Sequence, residues 1–156
     1  MVRTGERRRR RRFEIRDFSL PLESPLGTAN GEVEVRDGSL VAITDGETVL
    51  GIGEATPLPG WTESLAECRG ALTELNESDP RRGQIPPAST PAARHAVTLA
   101  ARDAQARRRG IPLTESLARD DDPATTVPVN ATVGDGSVAE TVAAAESAVE
   151  SGFETL

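Results

Sequence analysis

The chain has 156 residues, enough to bury an ordinary core, and its 37% hydrophobic content excludes a disordered polypeptide. The net charge of -7 is unevenly placed, with +6 on residues 1–12 and -13 on residues 13–156. So acidic a body repels a phosphate backbone, which leaves nucleic-acid contact to the arginine tail alone.

That tail, GERRRRRR, has neither aromatic interleaving nor a folded context. It reads as a disordered solubilising segment, or as a start placed too far upstream, ahead of a nucleic-acid arm. No apolar stretch follows it as a signal peptide requires, and no run is long enough to span a membrane. Lysine is absent, so all 18 basic residues are arginine. With the acid excess, this fits a protein adapted to high salt. One cysteine and one histidine, Cys68 and His95, supply neither an internal disulfide nor a Cys/His metal cage. A cytoplasmic location is expected.

FEIRDFSL (13–20) alternates in period two on both sides of a slip at Asp17, as in a strand with a bulge or bend. PLESPLGTANG (21–31) reads as a loop. Val33 and Val35 then share one strand face, Asp37-Gly38 signals a turn, and Leu40–Thr44 resumes as strand. Asp45-Gly46 marks the next turn before the strand TVLGIGEA (48–55). Three or four short antiparallel strands with one wet face follow from this pattern.

The period changes after TPLPGW (56–61), a rigid loop. Leu65, Cys68, Leu72 and Leu75 recur as a helix requires, capped by Thr62 or by Ser64 with Glu67. Residues 79–90 are linker-like. Thr90 then caps a long helix with Pro91 at its first position, ending at Gly110. Ala93, Ala96, Val97, Ala100 and Ala104 form its buried face, small enough for close approach. A short helix (114–118) and an acidic linker (120–126) follow.

VPVNATVG (127–134) alternates again as a strand. Ser137 and Glu140 form a capping box, Val142, Ala145 and Val149 a helical stripe, and Gly152 with Phe153 a Schellman end. The spacing from VPVNATV to FETL is that of a βαβ crossover whose second strand has barely begun. The organisation is an α+β domain over 13–119 followed by one unit of a parallel β/α system over 127–156. A single such unit leaves its strand uncovered, so a fragment or truncated product is expected.

SPLGTANGEV (24–33), LGIGEATPLPGWTESLAEC (50–68), TPAARHAVTLAARDAQARRRGIPL (90–113), VPVNATVG and ETVAAAESAVESGFETL (140–156) carry a resemblance. In this order they resemble the amino-terminal part of the mandelate racemase and muconate-lactonizing branch of the enolase superfamily. The wording is closer still to the o-succinylbenzoate synthases. The resemblance implies an α+β capping domain plus the first β/α unit of an incomplete modified TIM barrel.

It also implies a magnesium-dependent dehydratase of menaquinone biosynthesis that abstracts a proton alpha to a carboxylate. A dication neutralises the resulting enediolate, and a lysine of depressed pKa removes the proton. The family's Lys-x-Lys pair and its three carboxylate metal ligands belong to later barrel strands. None can be assigned here, so no catalytic or metal residue is named, no bound cofactor is expected, and the chain by itself should be inactive. The same cap serves N-succinylamino acid racemases, dipeptide epimerases and muconate cycloisomerases. A non-catalytic interaction module is a further alternative, and a homo-oligomer is possible.

By the resemblance, two cap loops (25–31 and 56–62) reach over the barrel mouth. Leu26 and Thr28 are therefore candidates for a cyclic or succinylated carboxylate substrate. Trp61 either shields substrate or plugs a gap between sheet and helix. Glu54 is expected to bond backbone in the neighbouring loop. Asn130 and Thr132 lie opposite the valines, which suit the helix-covered side of a barrel strand, so both are candidates to line the pocket. His95 reads as a core or interhelix hydrogen bond, Arg94 and Arg102 as paired or snorkelling, and Asp120–Asp122 as a solvated linker. The GIG of 51–53 lacks the full glycine pattern of a dinucleotide loop.

Overall fold

A computed structural model describes residues 11–28, 31–76, 84–118, 123–134 and 136–156. Within them β1 (Arg11–Thr28), β2 (Gly31–Asp45) and β3 (Thr48–Ala55) precede α1 (Leu65–Asn76), α2 (Pro91–Arg109), α3 (Leu113–Leu117) and α4 (Val138–Glu150). The strands form one antiparallel sheet in the order β1-β2-β3. The architecture is a capping region of sheet and helices followed by an incomplete, unclosed β/α piece. The chain divides into two compact units, Met1–Arg119 and Asp120–Leu156.

The meander has three strands, and two of them are longer than expected. β1 pairs β2 continuously from Arg11 with Asp45 through Asp17 with Ser39 to Pro21 with Val35, so no slip occurs at Asp17. Register shifts instead between Pro21 and Leu26, and pairing resumes from Leu26 with Val33 to Thr28 with Gly31. Pro21 and Pro25 have no N–H to give a ladder, which accounts for the break falling there. The expected loop over 21–31 is thus mostly strand. The tail ends at Arg10 rather than Arg12, because Arg11 and Arg12 already belong to β1. The rest of the tail lies outside the described residues, as do residues 120–122 of the expected acidic linker.

The turn expected at Asp37-Gly38 is absent, since both residues pair within β2. Gly38 serves packing: a Cβ there would meet the Phe18 ring, with Cε1 at 2.8 Å. The turn at Gly46 is real, and its φ of 68° favours glycine.

One sheet face packs on the helices. Phe13, Val41, Ile43 and Ala55 join Cys68, Leu72 and Leu75 of α1 and Ala92, Ala93, Ala96, Val97 and Ala100 of α2 in one core. The small-residue face expected of α2 is buried, with Ala104 packed at its margin. Gly110 at φ 69° ends α2, with its N–H on Arg107 O and that of Ile111 on Ala106 O. Those two bonds make a Schellman end.

In the second unit residues 127–134 form no strand ladder. One backbone bond, from Ala131 N to Thr155 O at 2.9 Å, joins this stretch to the last residues. Strand geometry needs a neighbour to take alternate N–H and C=O groups, and one contact does not supply it. In α4, Ser137 and Glu140 form the expected capping box. Gly152 N on Val149 O and Phe153 N on Ala148 O complete the expected Schellman end. The helical stripe is open, as a single β/α unit without neighbours implies: Val142 and Val149 are exposed, and no α4 residue is buried.

Candidate functional site

The register of the sheet brings two predicted cap segments to one end. β3 stops at Ala55 opposite Ser39, and Ser39 faces Asp17. Beyond that level β1 and β2 continue alone as a two-stranded arm to Thr28 and Gly31. The loop after Ala55 leaves the sheet at the base of this arm. Arg36 of the arm ties the two by donating to Thr56 O at 3.1 Å.

Leu26 is exposed near the tip of the arm. Thr28 donates its hydroxyl to Gly31 O at 2.7 Å, which closes the tip. Trp61 sits in the loop. Its N–H and that of Thr62 both reach Leu58 O, at 3.0 and 2.9 Å, and Leu58 N returns to the Thr62 hydroxyl at 2.7 Å. Pro59 in the second place and Gly60, at φ 94°, in the third give the residue pattern of a type II turn. The turn throws the indole outward, 80% exposed, so Trp61 plugs no gap between sheet and helix.

Below the turn runs a groove of about 570 Å³ lined by Glu54, Thr56, Thr62, Pro91, Ala92 and His95. Glu54 accepts the Thr56 hydroxyl at 2.5 Å rather than a backbone N–H, because that hydroxyl is two residues away on the same chain. His95 is exposed on the groove side of α2 and makes no hydrogen bond to another described residue. The core or interhelix bond expected for it is absent, since the α2 face turned to the sheet is taken by alanines. Arg94 bonds the Pro86 carbonyl at 3.1 Å, and among the described residues it pairs with no acid.

Sequence reading missed the residue that joins loop to helix. Glu63 is 7% exposed, and its carboxylate accepts from Ala92 N at 3.0 Å and Ala93 N at 2.9 Å. It caps α2 in place of Thr90, whose side chain makes no cap bond and donates instead to Pro87 O at 3.2 Å. An anion suits this position, where unpaired N–H groups and the helix dipole converge. Glu63 lies beside the local cap of α1, where Ser64 and Glu67 bond reciprocally. An acid at that place in a sequence reads as a helix start, and only the fold carries it to another helix. Burial, and then the charge of Glu63, pushes the fully buried Cys68 thiol up to about 12.

In the second unit Asn130 and Thr132 are exposed, but so are Val127 and Val129, at 75% and 69%. Ala131 and Val133 are half-buried, so the two faces expected of a barrel strand are distinguished over 130–134 and not over 127–129. A cleft of about 340 Å³ forms between 127–129 and 151–155, and neither Asn130 nor Thr132 lines it. Among the described residues no three His, Cys, Asp or Glu groups converge as a metal site. They do not fit a magnesium ion. No helix among them is long and apolar enough to cross a membrane.

The chain is similar to known proteins. The chain is 32% identical over 159 residues to an L-Lys-D/L-Arg epimerase of Methylococcus capsulatus, covering 92% of this chain and 43% of that protein. A crystal structure of a dipeptide epimerase from Methylococcus capsulatus with Mg and the dipeptide L-Arg-D-Lys superposes with a TM-score of 0.68. That superposition has 30% identity over 90% of this chain and 43% of that one. A shorter match, 35% over 63 residues, joins 40% of the chain to 20% of the o-succinylbenzoate synthase of Thermosynechococcus vestitus. The chain thus spans less than half the length of the curated relatives it matches. Residues 10–104 match the family described as MenC, N-terminal domain. The chain belongs to that family, the amino-terminal capping domain of the mandelate racemase and muconate-lactonizing branch of the enolase superfamily.

Proposed function

We propose that this chain supplies the cap and first β/α unit of an enzyme that removes a proton alpha to a carboxylate, and that the reaction is dipeptide epimerisation. The observation that supports this reading is extent. Likeness to the Methylococcus epimerase runs over 92% of the chain, through both units, whereas likeness to the synthase covers 40%. Epimerisation takes the proton from one face of the alpha carbon and returns one to the other. Dehydration to o-succinylbenzoate begins with the same abstraction but expels water. The cap's share is enclosure, with the arm tip at Leu26 and Thr28 and the Trp61 turn as walls on one end of the sheet. Asn130 and Thr132, in the second unit, remain candidates to contact substrate. The chain has no lysine to serve as the base, and no metal-ligating cluster forms among the described residues.

The synthase remains the second reading, because the family matched over 10–104 is named for its MenC members and the 63-residue match is to a synthase. One experiment separates the two. The open reading frame that encodes this chain is expressed whole, supplied with magnesium, and incubated in deuterated water with cationic and acidic dipeptides, then with the synthase substrate. Exchange and inversion at the alpha carbon of a dipeptide support the proposal. Release of o-succinylbenzoate without dipeptide exchange overturns it in favour of the synthase, and neither reaction overturns both.

A further inference from the structure

We propose that Glu63 is a positioning residue whose buried carboxylate locks the Trp61 turn to the first turn of α2 and so fixes where the indole stands. The consequence for substrate rests on the function proposed above; the lock itself does not.

An indole that is 80% exposed has almost no packing of its own to hold it. Its position is inherited from the backbone beneath. That backbone is closed on itself between Leu58 and Thr62 by three bonds of 2.7 to 3.0 Å. A closed turn is still free to swing as a unit unless both feet are held. The first foot is held by Arg36, through its bond to Thr56 O. The second is Glu63, next in the chain after Thr62, with two charge-assisted bonds to Ala92 N and Ala93 N. The helix it grips is in turn fixed to the sheet, because Ala96 and Ala100 press on Gly53 and Gly51. From the helix N–H groups to the indole the path is therefore one buried side chain and two residues of backbone.

Two bonds matter more than one. A single hydrogen bond leaves a pivot, whereas a carboxylate bonded at both oxygens to adjacent N–H groups sets direction as well as distance. Glu63→Gln keeps the shape but turns one oxygen into a donor that faces an N–H. Glu63→Asp keeps the charge and falls one methylene short.

Trp61 is the sole tryptophan, so its emission reports the turn without labelling. In the Glu63→Gln chain, steady-state anisotropy of Trp61 is expected to fall by roughly a third as the turn gains nanosecond freedom. Amide exchange at Ala92 and Ala93 is expected to quicken about tenfold or more while thermal unfolding stays cooperative. Glu63→Asp is expected to lie between this and the unaltered chain. Faster exchange with unchanged Trp61 anisotropy overturns the proposal, for Glu63 then caps α2 and nothing more. Should Glu63→Gln not fold, the unaltered chain decides: a backbone order parameter of about 0.85 at Trp61 supports the lock, and one below about 0.6 overturns it. An indole that loosens in a whole enzyme of unchanged KM supports the lock and overturns the substrate placement of Trp61.

Discussion

Gly53 of β3 lies directly against Ala96 of α2: a Cβ on the glycine would stand 2.8 Å from the Ala96 carbonyl carbon and 2.9 Å from Ala100 N. The neighbours are backbone atoms of a helix, so they cannot rotate away. Gly53→Ala should therefore destabilise the cap by about 1–3 kcal/mol through overpacking. Gly70 is the control. It sits inside α1 with nothing within 4 Å of an added Cβ, so Gly70→Ala should stabilise by about 0.5–1 kcal/mol. Urea unfolding of the two variants checks both signs, and a stability gain on Gly53→Ala would contradict this packing.

That contact also shows where sequence reading reached and where it stopped. The alanine face of α2 was legible because helical period is a local property. The Schellman end at Gly152 and the capping box at Ser137 were legible for the same reason. Asp37-Gly38 has the local signature of a turn, yet Gly38 is glycine because Phe18, twenty residues earlier, lies over it. Thr90 has the signature of a cap, yet a carboxylate from Glu63 takes the place. The strand expected at 127–134 fails differently, for alternation records a preference that no ladder here fulfils. In the candidate site, the placement of Leu26, Thr28 and Trp61 at one end of the sheet follows from register, which a list of residues does not contain.

The two local helix caps give a pH dependence. In Glu67 the side-chain hydrogen bond from Ser64, and then the backbone bond from the same residue, hold the carboxyl below its ordinary 4.5. Glu140 is held down in the same way by Ser137. A carboxyl whose pKa is lower in the folded state adds stability above its unfolded pKa and loses it as pH falls through the folded one. Stability should therefore drop below about pH 4.5. Glu67→Gln should flatten part of that slope in urea midpoints taken from pH 6 to pH 3, and an unchanged slope would remove Glu67 from the cause.

Cys68 acts in the opposite direction. Burial holds its thiol at about 12 against an ordinary 9.0, so the folded chain keeps it protonated where the unfolded chain does not. The thiol contributes fully below pH 9 and its contribution declines as pH rises from there towards 12. At pH 8 the folded chain should resist a disulfide reagent for hours and react at once when unfolded in guanidinium, since the thiolate is the nucleophile. Rapid labelling of the folded chain would mean that α1 opens far more readily than its buried face implies.

Trp61 separates enclosure from packing. The indole is 80% exposed and touches no core, so Trp61→Ala should change stability by less than about 0.5 kcal/mol. On the function proposed above, the same change in the whole enzyme removes a rigid aromatic wall that holds water away from bound substrate. A loss of roughly 1 kcal/mol of binding corresponds to about a fivefold rise in KM. Turnover should change less, because the indole lies on the cap and not among the groups that move the proton. Steady-state kinetics and a melting curve on one preparation decide it. A lowered melting point with preserved kinetics would make Trp61 a packing residue after all. A large fall in turnover at constant KM would place the indole against the reacting carbon.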